Sequence, residues 1–137
     1  MELGPVDRIV LNSVQYAWFD SGYAAYEPSI EMLKDYRNAL DSVDFFVVFG
    51  TWCKDSKREM PRFFKIMDEL NFPSKRIELY GVDRSKAQPG TIPQQYHITN
   101  VPTIIVRTHG EELGRIVESP KTTLEIDLLE ILMNPHQ

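Results

Sequence analysis

Residues 44–56 read Asp-Phe-Phe-Val-Val-Phe-Gly-Thr-Trp-Cys-Lys-Asp-Ser, and this stretch decides the fold. The run over residues 44–49, apolar after its first residue, is typical of a strand that is buried on both faces of a sheet. A short turn follows over residues 50–55. From Ser56 onward, apolar residues recur at helical spacing: Met60, Phe63, Phe64, Met67 and Leu70. The sequence therefore predicts a buried strand, a turn that carries Cys53, and an amphipathic helix.

The rest of the chain continues this alternation of helices and strands. Helical patterns begin at Pro28 and at the capping-box pattern Thr122-x-x-Glu125. Further strands are predicted over residues 77–82, 103–107 and 112–117, and a polar loop over residues 84–100. This order predicts an α/β fold with a central mixed sheet of four or five strands and helices on both faces.

The 137 residues are enough for one domain, and we predict a single domain over residues 1–137. Residues 28–137 form its body. Residues 1–27 are predicted to be an irregular, aromatic-rich extension, with a short strand over residues 8–14. Two roles remain open for the aromatic residues of segment 16–26. These aromatic side chains either cover a sheet edge or a helix face, or form a surface that binds a partner.

Composition excludes several classes of function. The chain has 15 Lys and Arg against 20 Asp and Glu, a net charge of −5 that argues against nucleic-acid binding. Cys53 is the only cysteine, which excludes an internal disulfide, and the three histidines lack the spacing of metal ligands. We expect no metal and no cofactor. No long apolar segment and no secretory signal pattern is present, so the sequence predicts a cytoplasmic protein away from membranes.

The motif Trp52-Cys53-Lys54-Asp55-Ser56 resembles the W-C-x-x-C motif of thioredoxins, in sequence and in its place after a buried strand. Pro61 falls where thioredoxins carry a helix-kinking proline. Val101-Pro102-Thr103 resembles the thioredoxin I-P-T, whose proline is cis and faces the cysteine, and Gly110-Glu111 follows at the family's spacing. The resemblance covers residues 44–133 and implies a thioredoxin-like fold.

The resemblance also implies thiol–disulfide exchange at Cys53. A cysteine at a helix N-terminus faces unpaired backbone N–H groups and the positive end of the helix dipole, which favour the reactive thiolate. Lys54 adds to this effect when it lies close, and Asp55 opposes it. Trp52 is expected to form a lip around the cysteine.

The segment Val101, Pro102 and Thr103 is expected to bind substrate with Trp52, Lys54 and Asp55. The backbone beside Pro102 pairs with an added strand of a protein substrate.

Two departures from the thioredoxin pattern change the expected mechanism. Ser56 stands where thioredoxins have their second cysteine, and Val47 stands where they have a buried aspartate. Cys53 then forms a mixed disulfide that an external thiol, such as glutathione or a protein partner, has to resolve. Ser56 is expected to donate a hydrogen bond to the Cys53 thiolate.

Two other interpretations of the function stay open. A non-catalytic binding module would hold a partner chain at the proline face. A glutathione-dependent protein similar to the monothiol glutaredoxins has less support, because their Cys-Gly-Phe-Ser motif and glycine-rich segment are absent.

Overall fold

The strand predicted over residues 44–49 is the central strand of a five-stranded mixed sheet in the computed structural model, which describes residues 1–85 and 92–134. The strands are β1 (Gly4–Val6), β2 (Asp44–Phe49), β3 (Ile77–Gly81), β4 (Thr103–Thr108) and β5 (Glu111–Val117). Their order is β1-β3-β2-β4-β5, with β2 and β3 parallel and the other neighbours antiparallel. The predicted α/β fold with a mixed sheet is confirmed.

Strand β2 separates two apolar clusters, because successive side chains of a strand point to opposite faces. Phe45, Val47 and Phe49 lie in the larger cluster, and Phe46 and Val48 lie in the smaller one. All five are buried. The strand thus has no face left for water, as its continuous apolar run predicted.

The helices divide unequally between the two faces. They are α1 (Ala17–Ala25), α2 (Glu31–Lys34), α3 (Arg37–Leu40), α4 (Lys54–Glu69), α5 (Ile92–Gln95) and α6 (Leu124–Met133). Buried side chains of every helix except α5 join the larger cluster, whereas Ile92 of α5 packs on the smaller one. Residues 86–91 of the predicted polar loop lie outside the described residues. Helix α6 is capped by Thr123, one residue beyond the predicted cap, and its hydroxyl accepts from Ile126 N–H at 3.1 Å.

The prediction that residues 1–27 are irregular is wrong. Strand β1 pairs with β3, and the predicted strand over residues 8–14 is instead a 3₁₀ helix over Arg8–Asn12. Arg8 makes two hydrogen bonds of 2.6 Å to the Asp68 carboxylate on α4, and Tyr23 Oη donates a third at 2.6 Å. These partners lie 45 and 60 residues away in the sequence, so no local pattern reveals them.

The aromatic segment 16–26 covers α4 rather than facing solvent. Tyr16 and Phe19 are buried, and the Phe19 ring centroid lies 5.9 Å from that of Phe64. Gly22 brings α1 close to α4, since an added Cβ there would lie 2.7 Å from Pro61 Cγ. Of the two roles left open by the sequence, the structure favours the covering one.

The close approach at Gly22 predicts whether one substitution stabilises or destabilises the protein. Alanine in place of glycine ordinarily stabilises a helix by about 1 kcal/mol. Here Gly22→Ala should instead destabilise the protein by about 1–3 kcal/mol, because the new methyl group overlaps Pro61. Chemical denaturation measures the change, with Ser21→Ala on the exposed side of α1 as the control. A stabilised Gly22→Ala variant would show that α1 does not pack this closely.

The pair of Arg8 and Asp68 predicts a pH dependence of stability. Burial alone would raise the pKa of Asp68, but the hydrogen bonds from Arg8 and Tyr23 and the charge of Arg8 outweigh it and lower the pKa. A lowered pKa in the folded state stabilises the protein above the unfolded value of about 4, and this stabilisation is lost as the pH falls through the folded value.

We therefore expect the free energy of unfolding to decrease between about pH 5 and pH 3, and to decrease less in Asp68→Asn. Urea denaturation at a series of pH values measures both slopes. Glu69→Gln, which removes the exposed neighbouring carboxylate, is the matched control. Equal slopes in the parent protein and Asp68→Asn would contradict the ion pair.

Candidate functional site

Cys53 occupies the junction between the central strand and the longest helix. It is the N-cap residue of α4, with an extended backbone, and its carbonyl accepts from Lys57 N–H at 2.9 Å. Its own N–H donates to Gly50 O at 3.0 Å and closes the turn. The side chain is partly exposed and does not cap the helix. Its thiol therefore stands beside the free N–H groups of the first turn of α4.

The thiol contacts the segment that precedes β4. Cys53 Sγ donates to Val101 O at 3.3 Å, across 48 residues of sequence. The peptide bond between Val101 and Pro102 is cis. The fold thus brings together the two motifs that the sequence singled out, Trp52–Ser56 and Val101–Thr103.

Hydrogen bonds on both sides fix the backbone of this second segment. Thr103 Oγ1 donates to Asn100 O at 2.7 Å, and Glu118 N–H donates to Pro102 O at 2.7 Å. The Asn100 side-chain amide also donates to the Glu118 carboxylate. Thr103 is buried and its hydroxyl is engaged, so its side chain holds the segment in place instead of facing a substrate.

Trp52 packs over the turn that holds the cysteine. Its indole N–H donates to Val82 O at 2.8 Å, and the Arg84 guanidinium lies 5.1 Å from its ring centroid. The ring crosses Gly50 so closely that a Cβ at that residue would lie 2.6 Å from Trp52 Cε2. Trp52 therefore links the turn to the end of β3 and lies partly exposed beside Cys53 in the sequence.

Ser56 makes a different contact from the expected one. The residue is fully buried, and its Oγ accepts from Gly50 N–H at 3.1 Å. Among the described residues no hydrogen bond joins Ser56 to Cys53. The serine hydroxyl therefore stabilises the turn through its hydrogen bond to the backbone of Gly50, and it does not contact the thiol by a hydrogen bond. Val47, at the other position that departs from the thioredoxin pattern, is also fully buried.

The two charged residues inside the motif have different surroundings. Asp55 forms an ion pair with Arg58, whose Nη2 lies 2.9 Å from Asp55 Oδ1. Lys54 is exposed, and no ion pair within residues 1–85 and 92–134 involves it. The spacing of Asp55 and Arg58, three residues apart on a helix, is visible in the sequence. The contacts of Gly50, Val82 and Glu118 carry no such signal.

The N-terminal segment also reaches the turn. Tyr16 Oη donates to Glu2 Oε2 at 2.9 Å. Burial and the bond to Glu2 raise the pKa of Tyr16, and a hydrogen bond with the Thr51 side chain works in the opposite direction. Thr51 is buried two residues before Cys53. A residue far outside the motif thus lies beside the turn that precedes Cys53.

The described residues lack the arrangements that a metal centre or a membrane-spanning helix requires. No group of three or more His, Cys, Asp or Glu side chains in residues 1–85 and 92–134 is placed to hold a metal ion. None of the described helices is both long and apolar enough to cross a membrane.

A mixed sheet in this order, with the cysteine between the central strand and its following helix, defines a thioredoxin-like fold. Thioredoxin-3, mitochondrial, of Saccharomyces cerevisiae is 26% identical over 123 residues, which cover 88% of this chain and 91% of that protein. Thioredoxin-like protein Clot of Arabidopsis thaliana is 25% identical over 125 residues, covering 82% of this chain and 92% of its own length. The chain is thus similar to thioredoxin-type proteins over most of its length.

One solved structure and the protein-family models give two further comparisons. The crystal structure of oxidised mitochondrial thioredoxin 3 from Saccharomyces cerevisiae covers 70% of this chain and 86% of its own, at 19% identity and a TM-score of 0.41. No protein-family model matches the chain.

The bond between Ser56 and Gly50 predicts how the turn responds to substitution. Ser56→Ala leaves the buried Gly50 N–H without its acceptor and should destabilise the protein by about 1–3 kcal/mol. Thermal and chemical denaturation measure this loss. Ser42→Ala, which removes an exposed hydroxyl bonded to Ala39 O at 2.9 Å, should change stability far less. Equal effects of the two substitutions would show that the Gly50 N–H finds another acceptor.

Proposed function

We propose that this protein exchanges thiols and disulfides through Cys53 as its single nucleophile. The observation that carries the proposal is the partly exposed thiol at the N-terminus of α4, with Sγ 3.3 Å from the carbonyl of Val101. The N–H groups and dipole at this helix end stabilise a negative sulfur. The thioredoxin-type relatives favour protein thiols and disulfides as partners.

The proposed reaction has two steps. The Cys53 thiolate attacks one sulfur of a substrate disulfide, forms a mixed disulfide with it, and releases the other sulfur as a thiolate. An external thiolate, from glutathione or from a protein, then attacks the substrate sulfur of the mixed disulfide. Cys53 leaves as a thiolate, and the substrate carries a new disulfide with the resolving thiol. No electrons are gained or lost overall, and no bound cofactor is required.

The residues around Cys53 have distinct proposed roles. The backbone of Val101 lies where an extended substrate chain can pair with it beside Pro102. Trp52 borders the thiol and limits the approach of the disulfide, and Lys54 and Asp55 lie on the same rim. Ser56 and Thr103 act by holding the turn and the proline segment in position, through the bonds to Gly50 N–H and Asn100 O.

Ser56 also explains why a second function remains a candidate. A hydroxyl held by a backbone N–H in the core cannot resolve a mixed disulfide, and Val47 supplies no proton acceptor. These features suit a binding module that holds a partner chain at the proline face without chemistry. The cytoplasmic location stays a prediction, and the yeast relative is a mitochondrial thioredoxin.

Mixed-disulfide formation tests the main proposal. Reduced protein incubated with oxidised glutathione should gain one glutathione at Cys53, and intact-mass spectrometry should show this adduct accumulating. Cys53→Ser should gain none. Reduced protein that forms no adduct, although its thiol is alkylated in denaturant, would refute exchange and leave the binding module.

Ser56→Cys tests the monothiol step. A second thiol at that position should attack the mixed disulfide, release glutathione and leave a disulfide between residues 53 and 56. The adduct should therefore be short-lived in this variant and persist in the parent protein. Ser56→Ala is the matched control, because it loses the same hydrogen bond and gains no thiol. Rapid adduct loss in the parent protein, without added thiol, would contradict the monothiol mechanism.

A further inference from the structure

A chain of charged groups runs from the Cys53 motif into the protein. Arg58 Nη2 lies 2.9 Å from Asp55 Oδ1, and Arg58 Nε lies 2.5 Å from Glu59 Oε2. The side chains of Asp55 and Arg58 are about one-third exposed, whereas that of Glu59 is only 3% exposed. One arginine thus joins a carboxylate at the rim of the site to a carboxylate in the interior.

The pair with Arg58 offsets the energetic cost of burying the Glu59 carboxylate. A carboxylate removed from water is destabilised unless a cation or hydrogen-bond donors compensate it. Arg58 is the cation paired with Glu59 among the described residues, and the second oxygen, Oε1, is buried without a hydrogen-bond partner in that part of the chain. The guanidinium is therefore anchored by the buried group and aimed at Asp55.

Asp55 is the group that this anchoring affects. It lies in the first turn of α4, two residues after Cys53, where a negative charge is favourable for the helix. The same charge is unfavourable for a thiolate close by, since like charges repel across short distances. Because Arg58 is paired with Asp55, its positive charge offsets this repulsion and leaves the favourable effect of the helix end on the sulfur.

We infer that Arg58, held by the buried Glu59, is a positioning residue that cancels the charge of Asp55 and so keeps Cys53 reactive. This inference rests on the proposed exchange at Cys53. It assigns a part in that reaction to two residues outside the Trp52–Ser56 motif. Arg58 acts through Asp55 and touches neither the sulfur nor the substrate.

The test is a cycle of substitutions with rates of exchange as the readout. All variants carry Glu59→Gln, whose amide oxygen still accepts a hydrogen bond from Arg58 Nε, so that Arg58 stays held and its removal leaves no buried charge unpaired. The rate constant for reaction of Cys53 with 2-hydroxyethyl disulfide, an uncharged probe, is measured at one pH and low salt. Adding Arg58→Ala should slow the reaction about two- to fivefold, because Asp55 is then unpaired. Adding Asp55→Asn as well should restore the rate.

Two further measurements separate electrostatics from structure. The loss caused by Arg58→Ala should shrink in about 1 M salt, where exposed charges are screened within about 3 Å. Arg62→Ala is the matched control, because it removes an arginine one turn further along the same helix. This substitution should leave the rate unchanged.

Each outcome decides the inference. A slow Arg58→Ala variant that Asp55→Asn restores supports it. An unchanged rate, or a loss that Asp55→Asn does not restore, overturns it, while exchange at Cys53 itself stands. If the unaltered protein fails to react with the probe at all, the proposed function fails first.

Discussion

The burial of β2 on both faces is the constraint on which the rest of the structure depends. Five consecutive apolar side chains of this strand fill two separate clusters, so the sheet has to be covered on both sides. Strand β2 also pairs with β3 on one edge and β4 on the other. The end of this strand is therefore held by pairing on both edges and by packing on both faces. The turn at Gly50 begins from this well-supported position. Cys53 takes its position from that geometry.

The site is built mainly from backbone groups, with few side chains directed at the thiol. Gly50 N–H donates to the Ser56 hydroxyl oxygen, whereas Val82 O accepts from the Trp52 indole and Val101 O accepts from the Cys53 thiol. Each of these contacts depends on where a strand ends or a loop passes. Serine at position 56 fits this arrangement because a buried hydroxyl accepts a backbone hydrogen bond. The turn thus keeps its backbone hydrogen bonds with a serine at position 56 and only one cysteine in the chain.

Prediction from sequence succeeded where the pattern was local. The apolar run of β2, the amphipathic spacing of α4 and the strands β3, β4 and β5 are all visible in short windows, because burial imposes their periodicity. It failed over residues 1–27, where Arg8 and Tyr23 find their partner in Asp68 on a distant helix. The motif residues of the candidate site could be named in advance, whereas the roles of Ser56 and Thr103 could not, since both bind backbone atoms.

The sequence by itself determined the central strand, the helix that follows it and the single cysteine between them, because hydrophobic periodicity and residue identity need no tertiary contact. Only the tertiary structure decided what surrounds that cysteine. It brought Val101 to the thiol across 48 residues, turned the Ser56 hydroxyl toward Gly50, and anchored Arg58 between a buried and a half-exposed carboxylate. Such contacts depend on how elements pack against one another, and packing joins residues whose separation along the chain no local pattern encodes.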